Sequence, residues 1–521
     1  MSFVRKVSAA IATMGSMAYV YKRFYLYPHG DLFTVLKRYI ILLLGSKYSM
    51  DIRRLLQTPT VFRNERQPAY LCDMPLVIYH SASDPHSYLL LQGLQKIVAT
   101  YRVRLEPKIV SPAVDGYFAG HSTEYNTQWE WALRDSEYCS RTFDLRPPPR
   151  PVASLRKEDC ANADRSLIRF LFELRETSGE ESSLSARQSL EFLEHALKVS
   201  EALFKGEVPA FPTNPGLEGK VKVELMENHT NLKGKGHYLT GLVFLAPEFY
   251  WGVDRLLHLE RRLLELDLER VKVQSNGAPL TPHFAHNYRL RCSILNKTNM
   301  GSIMVRRPSH PIKLFYSFRS PYSQLALERA AAIASFWGVA LECKPVLPMV
   351  MRGLRVPRAK GRYIIMDASR EARELDAFGF HHVPSISPAD PVGPATIRAF
   401  VVWEYADQRG RGLDFMLTFS RAVWHEGVNA ASDRGMKTIV DRVDGLPWEQ
   451  CSRLLKENGG LGGSSWKCIE ARNQKELTVK YNLWGVPSFV YGNFCTWGQD
   501  RLRALEDAIF YDVTARSPAL L

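Results

Sequence analysis

The sequence predicts an α/β protein made of two similar halves in tandem. Three observations carry that reading. Short apolar strands alternate with helix-like segments over most of the chain, a six-residue phrase near the end of one half recurs near the end of the other, and the two halves also begin alike. Self-similarity at a fixed separation is the mark of a repeated architecture.

The closing phrases define the period. Trp497-Gly498-Gln499-Asp500-Arg501-Leu502 opens a helix with apolar Leu502, Leu505 and Ile509. In the first half, 246 positions earlier, Trp251-Gly252-Val253-Asp254-Arg255-Leu256 opens another with Leu256, Leu259 and Leu263. Both have the i, i+3, i+7 spacing of one buried helical face. The openings match as well: Leu314-Phe315-Tyr316 leads to Ser320-Pro321-Tyr322-Ser323, and Ile78-Tyr79-His80 leads to Asp84-Pro85-His86-Ser87. In each, a strand meets a proline that starts a helix, where its missing N–H would be unpaired anyway. Tyr322, Leu325, Ala326 and Ile333 mark one face of the second of these helices.

Between those ends the second half reads as a strand at Leu341–Leu347, helices at Ala395–Gln408 and Leu413–Glu426, and the start of a helix at Pro447–Leu455. In the first half, Pro-rich Leu145–Val152 reads as a loop. Strand–helix–strand, a helical block, then a hairpin and closing helix make each repeat an α/β unit with an inserted helical subdomain. The expected organisation is a basic, helical extension at 1–71, a first repeat at 72–290, a linker at 291–310 and a second repeat at 311–515.

Composition bounds the partners. The 521 residues are 45% hydrophobic and 23% charged, as in a soluble globular chain, and no stretch approaches the ~18 consecutive apolar residues of a membrane span. Of the formal charge of +14, residues 1–60 hold half, nine Lys and Arg against Asp31 and Asp51. The rest is diffuse, so no nucleic-acid partner is expected. The basic segment, with aromatic Phe3, Tyr19, Tyr21 and Phe24, reads either as an extension packed on the body or as a peripheral contact with an acidic membrane. It has no clean apolar core with a small-residue cleavage site, so a cleaved signal is not expected. None of the eight cysteines forms C-x-x-C, and their spacing fits neither a zinc site nor a disulfide framework. No metal is expected, His381-His382 reads as part of a loop, and reduced thiols point to the cytoplasm.

Four ordered segments of the second repeat carry the chemistry. They are Phe315-Tyr316-Ser317-Phe318-Arg319-Ser320-Pro321-Tyr322-Ser323; Lys360-Gly361-Arg362-Tyr363 followed by Asp367 and Arg370; Gly485-Val486-Pro487-Ser488-Phe489; and Trp497-Gly498-Gln499-Asp500-Arg501. Together, over about 200 residues, they resemble the kappa-class glutathione transferases and 2-hydroxychromene-2-carboxylate isomerases, whose fold is a DsbA-like thioredoxin fold. The resemblance implies two tandem thioredoxin-like folds and glutathione as co-substrate. Ser320 would stabilise the glutathione thiolate at a helix start. A cis Pro487 would let Val486 pair, strand-like, with the cysteinyl part. Gln499 and Asp500 would hold the γ-glutamyl end, Lys360 a carboxylate, and Asp367, the weakest member, would reach a neighbouring subunit or repeat.

Each residue also has a plainer reading. Ser320 before proline suits an ordinary N-cap, Pro487 a trans strand entry, Lys360 a solvated surface, and Asp500 the helix dipole. One departure from the family stands out: Met351-Arg352-Gly353-Leu354-Arg355 lacks the Asn usual before the Lys.

The first repeat keeps the scaffold and changes the polar centre. Asp84 stands for Ser320, Gly241 for Pro487 and Gln128 for Lys360, whereas Asp135 matches Asp367 and Asp254-Arg255 matches Asp500-Arg501. It is therefore expected not to activate glutathione but to pack on the second repeat as a covalent pseudo-dimer. The expected function is a glutathione-dependent isomerase or transferase acting on an electrophilic small molecule. A non-catalytic or membrane-peripheral binding protein is the alternative. A disulfide oxidoreductase is disfavoured, because Ser320 and Ser323 occupy the C-x-x-C positions. Met349, Met351, Trp403 and Phe415 are the residues expected to shape the substrate pocket.

Overall fold

The computed structural model describes residues 73–111, 122–151, 155–178, 183–207, 215–271, 281–292, 306–352, 358–377, 394–426, 428–460 and 465–514. The extension at 1–71, most of the linker and His381-His382 lie outside them. No helix among the described residues is long and apolar enough to cross a membrane.

Two four-stranded sheets organise the chain, and they share one topology. In the first repeat β1 (Met74–His80) pairs parallel with β2 (Val103–Ile109) and antiparallel with β3 (Leu242–Leu245), which pairs with β4 (Glu248–Trp251). In the second, β5 (Ile312–Tyr316), β6 (Leu341–Pro345), β7 (Ser488–Tyr491) and β8 (Phe494–Trp497) pair in the same pattern. The spatial orders are β2-β1-β3-β4 and β6-β5-β7-β8. The registers agree too: Tyr79 lies opposite Leu242, as Phe315 lies opposite Ser488.

The parallel crossovers are α1 (Pro85–Thr100) and α8 (Pro321–Trp337). Both start as the sequence implies, with proline in the first turn behind a side-chain cap. Asp84 accepts from the His86 N–H at 3.0 Å, and Ser320 Oγ accepts from the Ser323 N–H at 3.1 Å. The first insert holds α2 (Ser122–Thr142), α3 (Lys157–Ser178), α4 (Ala186–Lys205) and α5 (Pro215–Lys235). After β4, the turn Val253–Arg255 leads into closing helix α6 (Leu256–Glu265), and α7 (Ala285–Cys292) follows. The linker assigned to 291–310 thus begins inside a helix, and Arg291 belongs to the packed body. In the second repeat the insert is α9 (Arg358–Ala377), α10 (Pro394–Asp407), α11 (Gly412–Ser420), α12 (Asp433–Val440), α13 (Trp448–Gly460) and α14 (Ser465–Lys475), and α15 (Leu502–Thr514) closes the fold. Leu256, Leu259 and Leu263 are buried, as are Leu502, Leu505 and Ile509, so the repeated helical face is a core face in both halves.

The halves meet through crossed ion pairs. Arg255 donates to Asp367 at 2.7 and 2.8 Å, and its counterpart Arg501 donates to Asp135 at 2.5 and 2.7 Å. Each arginine also reaches the acidic residue beside its counterpart: Arg501 lies 2.9 Å from Asp254, and Arg255 lies 3.4 Å from Asp500. Each central aspartate is held from its own side by the second residue of the crossover helix, Asp135 by His86 at 2.8 Å and Asp367 by Tyr322 at 2.7 Å. This is the reciprocity of a two-fold dimer interface realised within one chain. Arg291 adds a third tie, to Asp500 at 2.7 Å, Glu371 at 2.9 Å and Asp254 at 3.0 Å.

These charges are nearly all removed from water, so losing one partner strands the other. Arg501→Met leaves Asp135 and Asp254 without their principal cation, and a loss of about 3–5 kcal/mol in urea unfolding is expected. Arg255→Met is expected to lose less, because Asp367 keeps Arg370 and Tyr322, and Asp500 keeps Arg291. Equal losses in the two variants would contradict this account of the interface.

Candidate active site

A cavity of about 380 Å³ opens between the repeats, directly beside the crossed pairs. Six of the seven residues singled out from the sequence line it: Ser320, Lys360, Val486, Pro487, Gln499 and Asp500. They arrive from four places in the chain, the start of α8, the first turn of α9, the loop before β7 and the turn before α15.

Ser320 is both a cap and a wall of the cavity. Its Oγ accepts the Ser323 N–H, and the hydroxyl proton remains to be donated elsewhere. The two readings of this residue are therefore compatible. The Val486–Pro487 bond is cis. The Pro487 carbonyl accepts from the Gly498 N–H at 2.9 Å, and among the described residues no backbone hydrogen bond from the Val486 N–H or C=O to another backbone group is found. Gly485 is required here because a Cβ would collide with the Trp497 indole.

Lys360 is buried, which overturns the solvated-surface reading. Its ammonium lies 3.6 Å from Met349 Sδ and 5.8 Å from the Tyr238 ring centroid, and burial pulls its pKa down to about 6. Asp500 sits at the junction of cavity and interface. Burial, with Glu371 and Asp254 nearby, lifts its pKa to about 6 even though Arg255 and Arg291 approach it. Among the described residues, the guanidinium partners found for Asp135, Asp254, Asp367, Glu371 and Asp500 are Arg255, Arg291, Arg370 and Arg501. Asp500, the most exposed of the five carboxylates, is where the surplus negative charge faces open space.

Two assignments are corrected. Asp367 does not line the cavity; its carboxylate is fully enclosed by Arg255, Arg370 and Tyr322, so it ties the repeats together rather than touching a ligand. Gln499 lines the cavity, but its amide donates to Glu371 at 2.8 Å and to Asp500, while its carbonyl oxygen accepts from Arg329 at 3.1 Å. Its side chain is spent on the protein, and its backbone carbonyl also accepts from Arg329 at 3.4 Å.

Of the residues expected to shape the pocket, Met349 does line it. Trp403 and Phe415 are instead in the hydrophobic core of the helical insert, and Met351 lies off the lining. Aromatic residues not foreseen take their place. Trp131 of the first repeat packs edge-on against Trp484 at 5.5 Å and Trp497 at 5.2 Å, and Tyr238, Trp251 and Trp424 complete an aromatic wall. Trp251 could have been found by its match to Trp497, but nothing in the sequence places Trp131 or Tyr238 here.

The equivalent centre of the first repeat is differently filled. Asp84 accepts from the Thr240 hydroxyl at 2.7 Å and lies outside the cavity lining. Gly241, where the second repeat has the cis proline, has φ +68° and packs on Asp84, with room for no larger residue.

The family match of this chain falls on its second repeat. Residues 311–510 match the DSBA-like thioredoxin domain family, and the second repeat is such a domain. A curated 2-hydroxychromene-2-carboxylate isomerase from Pseudomonas putida is 22% identical over 206 residues, 38% of this chain and 93% of that protein. A solved 2-hydroxychromene-2-carboxylate isomerase is 20% identical over 38% of this chain and 93% of its own, with a TM-score of 0.31. A probable DsbA oxidoreductase from Streptomyces coelicolor is 15% identical over 41% and 93%, with a TM-score of 0.28.

The buried Lys360 makes stability depend on pH. Between about pH 6 and the ordinary lysine value of 10.5, the unfolded chain holds a proton that the native chain lacks, so this group makes stability rise with pH. Lys360→Met removes the dependence. The variant is expected to gain most over the parent at pH 6, with the difference shrinking steadily toward pH 10, as read from urea unfolding across that range.

Proposed function

We propose that this protein is a glutathione-dependent isomerase or transferase of electrophilic small molecules, with Ser320 stabilising the glutathione thiolate. The observation that carries the reading is the convergence of Ser320, the cis Val486–Pro487 bond, Lys360 and Asp500 on one cavity. An isomerase on a conjugated carbonyl compound is the favoured form, because the curated relative named above is an isomerase.

The roles follow from the chemistry of each group. The Ser320 hydroxyl, its acceptor side already used by the Ser323 N–H, donates to the sulfur and favours the thiolate over the thiol. The free backbone of Val486 pairs with the cysteinyl unit as an added strand would. Lys360 receives a glutathione carboxylate and takes up a proton as it does so. Asp500 receives the γ-glutamyl amine, which neutralises the surplus negative charge at the cavity wall. The aromatic wall formed by Trp131, Trp484 and Trp497 suits a flat, conjugated substrate. The first repeat supplies part of that wall and holds no second glutathione at Asp84. The protein acts in the cytoplasm, with residues 1–60 either packed on its body or in peripheral contact with an acidic membrane.

The test combines binding and turnover. Calorimetry at pH 8 in buffers of different ionisation enthalpy should report little net proton exchange in the parent, because the proton Lys360 takes up is offset by the one the glutathione thiol loses, and net proton uptake in Ser320→Ala, whose bound thiol keeps its proton. Ser320→Ala should bind glutathione within about threefold of the parent yet lose about 10²-fold in kcat and lose the ultraviolet absorbance of the bound thiolate. Full activity in Ser320→Ala would remove this mechanism, and absence of glutathione binding in the parent would remove the function.

A further inference from the structure

Among the titratable side chains of the cavity that have no part in this mechanism is a histidine from the first repeat. His86 stands at the second position of α1, where the second repeat has Tyr322, and lines the cavity opposite Ser320's own domain. Its ring lies between two other lining residues, Trp131 at 5.5 Å and Trp251 at 6.3 Å between centroids. Nε2 is fixed by Asp135 at 2.8 Å, and Asp135 is itself clamped by both nitrogens of the Arg501 fork. The His86 side chain is 11% accessible, and Asp135, which holds Nε2, is 2% accessible and outside the lining. Among the described residues Nδ1 has no hydrogen-bond partner.

A carboxylate that holds one imidazole nitrogen fixes the tautomer and leaves the other nitrogen to exchange protons. The same cluster also contains Cys139, 3.6 Å from Asp135. It is a poor cation site, because the Arg501 guanidinium already occupies both aspartate oxygens. The electrostatics suit proton transfer instead. Burial lowers the affinity of His86 for a proton, but the hydrogen bond and charge of Asp135, together with the charge of Asp84, outweigh both burial and the opposing charge of Arg501, and the net shift is upward.

We propose that His86 is a catalytic proton donor and acceptor for the reaction at Ser320, supplied across the interface by the repeat that does not itself activate glutathione. This rests on the glutathione reading above. When the thiolate adds to the β-carbon of a conjugated carbonyl, the S–C bond forms and the C=C pair moves toward the carbonyl. Protonated His86 gives its Nδ1 proton to the α-carbon, which leaves a single bond free to rotate. Neutral His86 then takes the α-proton back, the C=C pair re-forms, the S–C bond breaks and glutathione leaves as thiolate. Protons and electrons balance, and no further reactant is needed. Stopping after the first half gives the conjugate, so the same residue serves transferase chemistry.

The experiment compares the full-length parent with His86→Gln, whose amide N–H can still donate to Asp135, and His86→Ala. Glutathione affinity is measured by calorimetry, and turnover with 2-hydroxychromene-2-carboxylate and with an aryl enone, 4-phenyl-3-buten-2-one. His86→Gln should bind glutathione within about threefold of the parent while kcat for the better substrate falls by about 10²-fold or more. The alkaline limb of the enone-addition profile should vanish with it, since Asp135, Asp84 and Arg501 are otherwise unchanged around the site. Added imidazole should restore part of the turnover of His86→Ala, which a merely structural role would not allow. Parental kcat and limb in a variant that binds glutathione normally would overturn the role of His86 alone. A parent that binds glutathione but turns over neither substrate would overturn it as well. A parent that does not bind glutathione would overturn the functional reading and this one together.

Discussion

Two arginines, one from each repeat, each gripping the buried aspartate of the other, are the constraint on which the rest of the structure depends. Arg255 on Asp367 and Arg501 on Asp135 lock the halves at one relative position, because a buried fork-to-carboxylate pair has one good geometry and a high cost for any other. The cavity exists because of that docking. Its walls are the turn before α15 and the start of α8 on one side, and Trp131, Tyr238 and Trp251 on the other. An undocked second repeat would present Ser320 and the cis Val486–Pro487 bond on an open face, where water would compete for every charge.

The same pairs explain how two repeats can share a scaffold and divide the work. Mutual burial needs Arg, Asp and the closing-helix leucines from both, and both retain them. It does not need Ser320 or Pro487 twice. In the first repeat Asp84 and Gly241 stand in those places, and Asp84 accepts from the His86 N–H and the Thr240 hydroxyl, which makes a capped helix start rather than a thiolate site. Tyr322 and His86 show the division most plainly. Both hold the central aspartate of their own repeat, but a phenol whose pKa is driven far up by burial and by Asp367 is inert at neutral pH, whereas an imidazole is not.

Much of the candidate site was legible before the structure because local sequence dictates local backbone. A strand followed by Ser-Pro makes a capped helix start, and the family resemblance of Gly-Val-Pro before a strand implied the cis turn that the structure has, beside an indole that tolerates only glycine. What such patterns do not carry is the direction in which a polar group finds its partner. Gln499 was read as a ligand contact and is instead held by Glu371 and Arg329, both more than a hundred positions away along the chain, while Asp367, grouped with the ligand contacts though read as reaching a neighbouring repeat, is enclosed by Arg255 of the other repeat together with Arg370 and Tyr322. Trp403 and Phe415 were read as pocket residues from their place in the insert, and packing put them in its core.

The sequence by itself determined the repeated strand and helix order, the helix caps, the buried faces of α6 and α15, and which half keeps the serine. Those features are set by interactions among residues close in the chain or by an internal similarity, 236 positions apart at the openings and 246 at the closing phrases, that one reading can detect. The tertiary structure alone decided that the halves cross-pair their arginines, that Lys360 is buried rather than solvated, and that His86 and Trp131 face the second repeat's serine across a shared cavity. The physical reason is that burial and charge balance are properties of the docked pair. No segment possesses them until the other half has closed over it.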